Sequence, residues 1–348
     1  MRSALILVVG TLLGFVHGCD VGTPTVRVSD VSSVLRDPVH WFYYLATLHD
    51  AQGQRYYFGA CCGQTHQCSV VMRQLLPDGS SRVIIEERVR QRVLETTKGK
   101  LKFTWQSEIH PDASLTLSLS AEAHVFEYQR GVQRLSLQMR SLGHSLWWHN
   151  KRRPSPDAKL LDKYYGVDDV SAFSGVVRDQ AMGTVRLHGT GVYEMMSIDS
   201  PDTNRAWRGQ NWFIFTSPGV FGLVLDFDNY FDGFLCLGSH AQALRLQSAS
   251  FDFGEPDAQG YPRSVEVHVH TVDGMLTLTG KRFYRDSVYR VPILIGDREF
   301  QDLHFDIQGI FTNGRGQTIP VRSGYAVDQV LVPVNPHTLH EAYPVQVR

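Results

Sequence analysis

Ser264-Val265-Glu266-Val267-His268-Val269-His270, then the turn signal Asp273-Gly274, then Leu276-Thr277-Leu278-Thr279, alternate apolar and polar residues across one hairpin-sized stretch. A period of two puts successive side chains on opposite faces of an extended strand, one towards a core and one towards solvent. Leu115-Thr116-Leu117-Ser118-Leu119 repeats the pattern in the first half of the chain. Turn signals break such runs at short intervals: Asp50 to Gly53, Pro77-Asp78-Gly79, His110-Pro111-Asp112 and Asn313-Gly314-Arg315-Gly316. Many short strands with regular turns predict an all-β sandwich or barrel. Composition agrees. The chain has 348 residues, 43% hydrophobic and 20% charged, which is globular and sufficient for about two domains. It carries 30 Gly and 11% aromatics, with no Ala-rich helical stretch.

Lys plus Arg is 34 against 35 Asp plus Glu, a net charge of −1. That leaves no field to steer nucleic acid or anionic lipid, so neither is expected as a partner. There is no nucleophile elbow, phosphate loop or nucleotide fingerprint, and no cofactor is expected. Met1 to Gly18 reads as a secretory signal: Arg2, then an apolar run from Ala4 to Val16 too short to span a bilayer, then Gly18 before Cys19. The expected product is secreted, with no transmembrane segment. Lipidation at Cys19 is the alternative. The five cysteines are Cys19, Cys61, Cys62, Cys68 and Cys236. In an oxidising compartment the short turn predicts Cys68 bridged to Cys61 or Cys62, with Cys236 free and buried. His268 and His270 share a strand face but lack a third ligand, so no metal site is expected. The basic, proline-broken stretch Asn150 to Asp157 reads as a solvated loop.

The chain also repeats once. Trp41-Phe42-Tyr43-Tyr44 resembles Trp212-Phe213-Ile214-Phe215; Pro111-Asp112 before Leu115 resembles Val272-Asp273 before Leu276; Gly183 to Leu187 resembles Gln317 to Val321. Three matches in order suggest two similar β-units of about 140 residues, each enough for a barrel of about eight strands.

These stretches resemble a known family. His40-Trp41-Phe42-Tyr43-Tyr44 with Leu48, Asp50, Gly53 and Tyr57-Phe58 is similar to the opening of the double-lipocalin hydroxyneurosporene synthase and kievitone hydratase family, with its AttH-like relatives. Lys163-Tyr164-Tyr165 before Phe173-Ser174-Gly175, Gly189 to Glu194, Asn211-Trp212-Phe213, Asp228 to Gly233, and Gly324-Tyr325 continue the likeness over roughly Asp37 to Asp328. The resemblance implies two consecutive lipocalin-like barrels, the first over 19–175 and the second over 176–335, with a tail at 336–348. It further implies a hydrophobic small molecule held in a barrel or between the two, and activities such as water addition to alkenes or polyene cyclisation.

The family hydratases carry an Asp-His-x-Trp tract where this chain reads Glu194-Met195-Met196-Ser197. The acid is kept; the His and Trp are not. Glu194 can act as an acid if an apolar wall raises its pKa, or it is a rim carboxylate paired with Arg186 or Arg208. Asp226 and Asp228 share one face of the next acidic strand, where mutual repulsion would lift one pKa; the alternative is a solvated strand end. Trp41, Tyr43, Tyr193, Trp212 and Phe215 offer aromatic walls for a bulky ligand or are barrel packing. The expected site gathers Glu194, Asp226 and Trp212 around one cavity with Tyr43 on its wall. The expected function is binding of a polyene- or isoprenoid-like molecule and its modification by acid catalysis, as hydratase, isomerase or cyclase. The alternative is a non-catalytic carrier. The sequence does not give the oligomeric state.

Overall fold

A computed structural model of the chain describes residues 39–63, 68–97, 100–120, 123–148, 164–198, 210–227, 230–238, 243–293 and 296–333. The signal segment, Cys19, the loop at 150–157, Asp228 and the tail at 336–348 lie outside them. The described residues form eighteen strands and no helix.

The first ten strands are β1 (Val39–His49), β2 (Arg55–Gly63), β3 (Cys68–Leu75), β4 (Ser81–Thr97), β5 (Lys100–Ser107), β6 (Ser114–Ser120), β7 (His124–Arg130), β8 (Gln133–Trp148), β9 (Tyr164–Asp179) and β10 (Gly183–Ile198). They follow one another as an antiparallel meander, and β10 returns to pair with β1 from Val39↔Ile198 to His49↔His188, closing a barrel. The remaining eight are β11 (Gln210–Ser217), β12 (Val220–Phe227), β13 (Tyr230–Leu237), β14 (Leu244–Phe253), β15 (Ser264–Thr271), β16 (Gly274–Ile293), β17 (Gly296–Asn313) and β18 (Thr318–Pro333). They close a second barrel where β18 meets β11.

The sequence expectation of two β-barrels therefore holds, but their division differs. The expected boundary at 175/176 falls inside β9. The hairpin of β9 and β10 belongs to the first barrel because β10 is the strand that closes on β1; the chain crosses over between Ile198 and Gln210. Closure depends on small residues. A Cβ on Gly189 or Gly191, both on the inward face of β10, would lie 2.1 Å from the Thr47 carbonyl oxygen or 2.0 Å from that of Leu45. Only bare backbone lets the two strands approach so closely.

The expected turns form where the residues place them. Asp50 Oδ1 accepts from the backbone N–H groups of Gln52 and Gln54, and Gly53 takes the positive φ of +77° that the turn requires. Asn313 does the same for Arg315 and Gln317.

Three apolar clusters result. Phe42, Tyr44, Phe58, Phe103, Trp105, Phe126 and Tyr193 fill the first barrel. Phe213, Phe215, Val224, Val267, Leu278, Leu303 and Phe305 fill the second. The third lies on the outer faces of both: Tyr43, Leu45, Tyr57, Val170, Val192 and Met196 of the first barrel pack on Trp212, Ile214, Leu223, Phe234, Tyr284 and Val327 of the second. Burying such a side chain stabilises by about 1.5–3 kcal/mol, so this seam contributes to holding the barrels together.

Candidate functional site

Strand alternation sorts the candidate residues into three compartments. In β1, Phe42 and Tyr44 point into the first barrel, so Tyr43 points into the seam. In β10, Tyr193 and Met195 point inward, so Glu194 faces the seam, opposite Tyr43 across the strand pair. In β11, Trp212 faces the seam while Phe213 and Phe215 face the second barrel. In β12, Leu225 faces the seam and Asp226 the second barrel. The structure thus brings Tyr43, Glu194 and Trp212 to the seam, with the Tyr43 and Trp212 ring centroids 5.7 Å apart. Asp226 is behind them on the other side of the sheet, and Tyr193 and Phe215 are inside the first and second barrels. Trp41 is on β1, with its side chain outside the described residues.

The chemistry of the seam centres on a residue the sequence did not single out. Asp302, 0% exposed, projects from β17 into the seam. Its Oδ2 accepts from the hydroxyls of Tyr43 (2.9 Å) and Tyr57 (3.0 Å), both from the first barrel. Its Oδ1 accepts from Gln329 Nε2 (2.9 Å), which also donates to the Tyr43 oxygen (3.0 Å). Burial pushes the Asp302 carboxyl up to about 7, against the opposing pull of these three donors. Burial and the neighbouring carboxylate hold both phenols well above their usual range, so they remain donors. A carboxyl poised near neutrality and wired to two phenols can hold or release a proton at working pH.

His304, two residues along the same face of β17, sits 5.0 Å from the Tyr57 ring and 5.3 Å from Tyr284. Desolvation lowers its pKa to about 3, so it is neutral. Its Nδ1 bonds the Tyr325 hydroxyl. With Tyr325 as donor, the ring proton is on Nε2. That Nε2 and the Trp212 Nε1 have no hydrogen-bond partner among the described residues. Buried polar groups are seldom left so.

Two openings reach this region. A cavity of about 100 Å³ is lined by Tyr43, Tyr57, Cys61, Arg73 and Asp286 among others. At the seam's edge a groove of about 680 Å³ is shared by the two barrels, with Thr47, His49, Arg55, Lys281, Asp306 and Tyr325 on its walls. That volume is in the range of small-molecule sites. Arg55 crosses the seam to Asp306 (2.7 Å) and lies over the Phe283 ring at 4.4 Å.

Inside the first barrel, Tyr193 stands between Tyr44 (5.0 Å) and His124 (4.5 Å). Nearby Asp169 accepts from Ser141, Ser145 and Ser171, and burial pushes it up to about 6. Met195 is fully buried in that core, where the resemblance places a histidine. Cys236 is a free, buried thiol in the seam; Cys61 also faces the seam. The side chains of Cys62 and Cys68, and so their expected pairing, lie outside the described residues. His268 lies against Glu266 (3.1 Å), and no group of three His, Cys, Asp or Glu residues among those described is arranged to hold a metal.

No protein-family model matches the sequence, and no curated protein matches it. Among solved structures, the fold is similar to CghA with Sch210972 (TM-score 0.57, 9% identity, 91% of this chain and 96% of that one). It is similar to a second structure of CghA (0.56, 9%, 91% and 95%) and to an AttH-like protein from Nitrosomonas europaea (0.52, 12%, 88% and 97%). Two closed antiparallel barrels in one chain, aligned over nearly the whole length of these proteins, give this chain the AttH-like double-lipocalin fold.

Proposed function

We propose that this chain binds a hydrophobic, polyene- or isoprenoid-like small molecule at the seam between its barrels and modifies it by proton delivery from Asp302 through Tyr43 and Tyr57, as a hydratase, isomerase or cyclase. The observation that carries this is the buried Asp302 carboxyl, near neutrality, amid aromatic side chains from both barrels. Aromatic faces stabilise cationic character in a protonated alkene, and exclusion of water strengthens the acid's effect. The unpartnered Trp212 Nε1 and His304 Nε2 offer donors to a polar end of the ligand. The fold neighbour CghA holds Sch210972, so a small molecule is compatible with this fold. Glu194 faces the same seam as a second acid.

The carrier reading is favoured by Met195, which fills the first core where the resemblance expects a proton-shuttling histidine. Mass spectrometry of compounds co-purifying with the protein, before and after replacing Asp302 by Asn, separates the two. An enzyme yields product from the parent and accumulates substrate on Asp302→Asn. A carrier holds the same unmodified compound on both, and absence of any bound compound overturns the reading. We further infer export directed by Met1 to Gly18, with a free or lipidated Cys19 at the new terminus; terminal mass analysis of the secreted protein tests it.

A further inference from the structure

The interior of the second barrel carries polar groups that neither its packing nor the seam explains. Alternation places Phe213, Val224, Leu303, Ala326 and Val330 in its core. The same strand faces carry Asn211, Asp226, Gln301 and Asp328. Asn211 is opposite Asp226 on β12 and Val330 on β18, and Gln301 is also opposite Val330, so these form one inner ring. Asp328, opposite Phe213 and Leu303, lies in the next.

Asn211 and Asp328 are both 0% exposed. Among the described residues, neither oxygen of Asp328 and neither heteroatom of the Asn211 carboxamide has a hydrogen-bond partner. An unmade buried hydrogen bond costs the full desolvation of the group, so four such atoms on adjoining strands point to a missing occupant. The nearby guanidinium of Arg285 is otherwise engaged: it donates to Gln301 (3.0 Å) and lies over the Tyr261 ring at 4.2 Å.

The orphan atoms define what fits. Burial, with the Asp302 charge beside it, holds the Asp328 carboxyl well above its usual range, so it keeps its proton until a cation draws that proton away; ionised, it contributes two acceptors and the Asn211 oxygen a third. An ammonium group has three donors and no acceptor. The walls beyond are aromatic: Phe213 packs 5.6 Å from Phe251, with Phe215 and Phe231 in the same core. Such rings suit an apolar body and favour a cation beside them. An eight-stranded barrel has room for little more than its own side chains or one small ligand. We propose that the second barrel binds a primary amine with a compact apolar body, its ammonium held by Asp328 and Asn211. This site is on the opposite face of β11, β17 and β18 from the seam and does not depend on the seam reading.

Isothermal titration of the full chain with 2-phenylethylamine, against its neutral analogue 2-phenylethanol, tests it. The amine is expected to bind at least about tenfold more tightly than the alcohol. Asp328→Asn and Asn211→Leu should each weaken the amine by about tenfold or more. Equal binding of amine and alcohol, or no binding of the amine by the parent, overturns the proposal without requiring any variant to fold. So does amine affinity unchanged in a folded Asp328→Asn. Failure of the seam reading shows instead as no compound bound there and no effect of Asp302→Asn on any conversion, with the amine titration unaltered.

Discussion

Replacing Asp302 by Asn should flatten the dependence of stability on pH. The residue is fully buried, and that burial pushes its carboxyl up to about 7 from the 3.8 of a solvated aspartate. Between those values the folded protein keeps a proton that the unfolded chain has lost. Unfolding therefore releases a proton, and the stability due to Asp302 falls as pH rises from about 4 to about 7, then levels off. The shift is about three pKa units, worth about 4 kcal/mol at 1.36 kcal/mol per unit. Asn has nearly the same shape and still accepts from Tyr43 and Tyr57, while the Gln329 amide can turn to accept from the new NH2 group. Whatever constant cost this rearrangement carries, the pH-dependent part disappears. Urea unfolding of parent and variant, followed by tryptophan fluorescence at half-unit steps from pH 4.5 to 8, reads the difference. Between pH 4.5 and 8 the variant should gain on the parent by about 3 kcal/mol, with unchanged m-values. Parallel curves would refute the raised carboxyl and, with it, the proton source assigned to the seam.

Gly191→Val should cost at least about 3 kcal/mol or prevent folding, because its first side-chain atom falls 2.0 Å from the Leu45 carbonyl at the barrel closure; an unchanged melting temperature would contradict the closure of β1 on β10. Trp212→Ala empties the centre of the seam and should cost about 3–5 kcal/mol in denaturant titration, and a loss below about 1 kcal/mol would mean the barrels do not rely on this contact. Burial holds the Cys236 thiol up to about 12, so a thiol reagent at pH 8 should leave it unmodified until the protein is unfolded; rapid labelling of Cys236 in the native protein, located by peptide mapping, would show the seam to be open.

How much of this was legible depends on which face of a strand is considered. β6 and β15 declare themselves: Leu115, Leu117 and Leu119, and Val265, Val267 and Val269, are buried while their neighbours meet solvent, as a period of two requires. The turns at Asp50 and Asn313 were equally readable, since their side chains build the turn locally. The division between barrels was not, because only the long-range pairing of β10 with β1 assigns 176–198 to the first. Asp302 was hidden for a related reason. In β17, Leu303, Phe305 and Ile307 alternate with Asp302, His304 and Asp306, and such a pattern normally means a wet face. Here the first barrel covers part of that face, so Asp302 and His304 are buried while Asp306 remains at the exposed edge. A signal was present elsewhere: Phe42 to Ala46 and Phe213 to Phe215 are apolar without interruption, as strands buried on both faces are. That run carried the resemblance, but its physical meaning is a strand with two dry sides. Tyr43 and Trp212 face one seam with their rings 5.7 Å apart, while Glu194 and Asp226 lie on opposite sides of the sheet, because no single-strand pattern fixes which of two compartments a side chain enters.

A wall buried on both sides is most cheaply built from apolar residues. Paired buried polar groups can often be replaced by hydrophobic ones of similar volume with no loss of stability, and unpaired ones are a net cost. Three adjoining strands, β11, β17 and β18, nevertheless carry Asp302, His304 and Gln329 towards the seam and Asn211, Gln301 and Asp328 towards the second barrel. Across the same barrel, β15 and the first half of β16 present Val265, Val267, Val269, Leu276 and Leu278 to the core, with the Thr271 hydroxyl at the β15 end taken up by its own turn. The polar groups are thus concentrated on the strands with two buried faces, where desolvation penalises them most. Packing gives no reason for that placement, and the fold would be as well served by Val or Leu at 302 and 328. Ligand chemistry does give one. A group held dry and near its titration point can deliver a proton, and a dry orphan carboxyl can select a cation. Both capacities require the burial that makes these residues unfavourable for the fold alone.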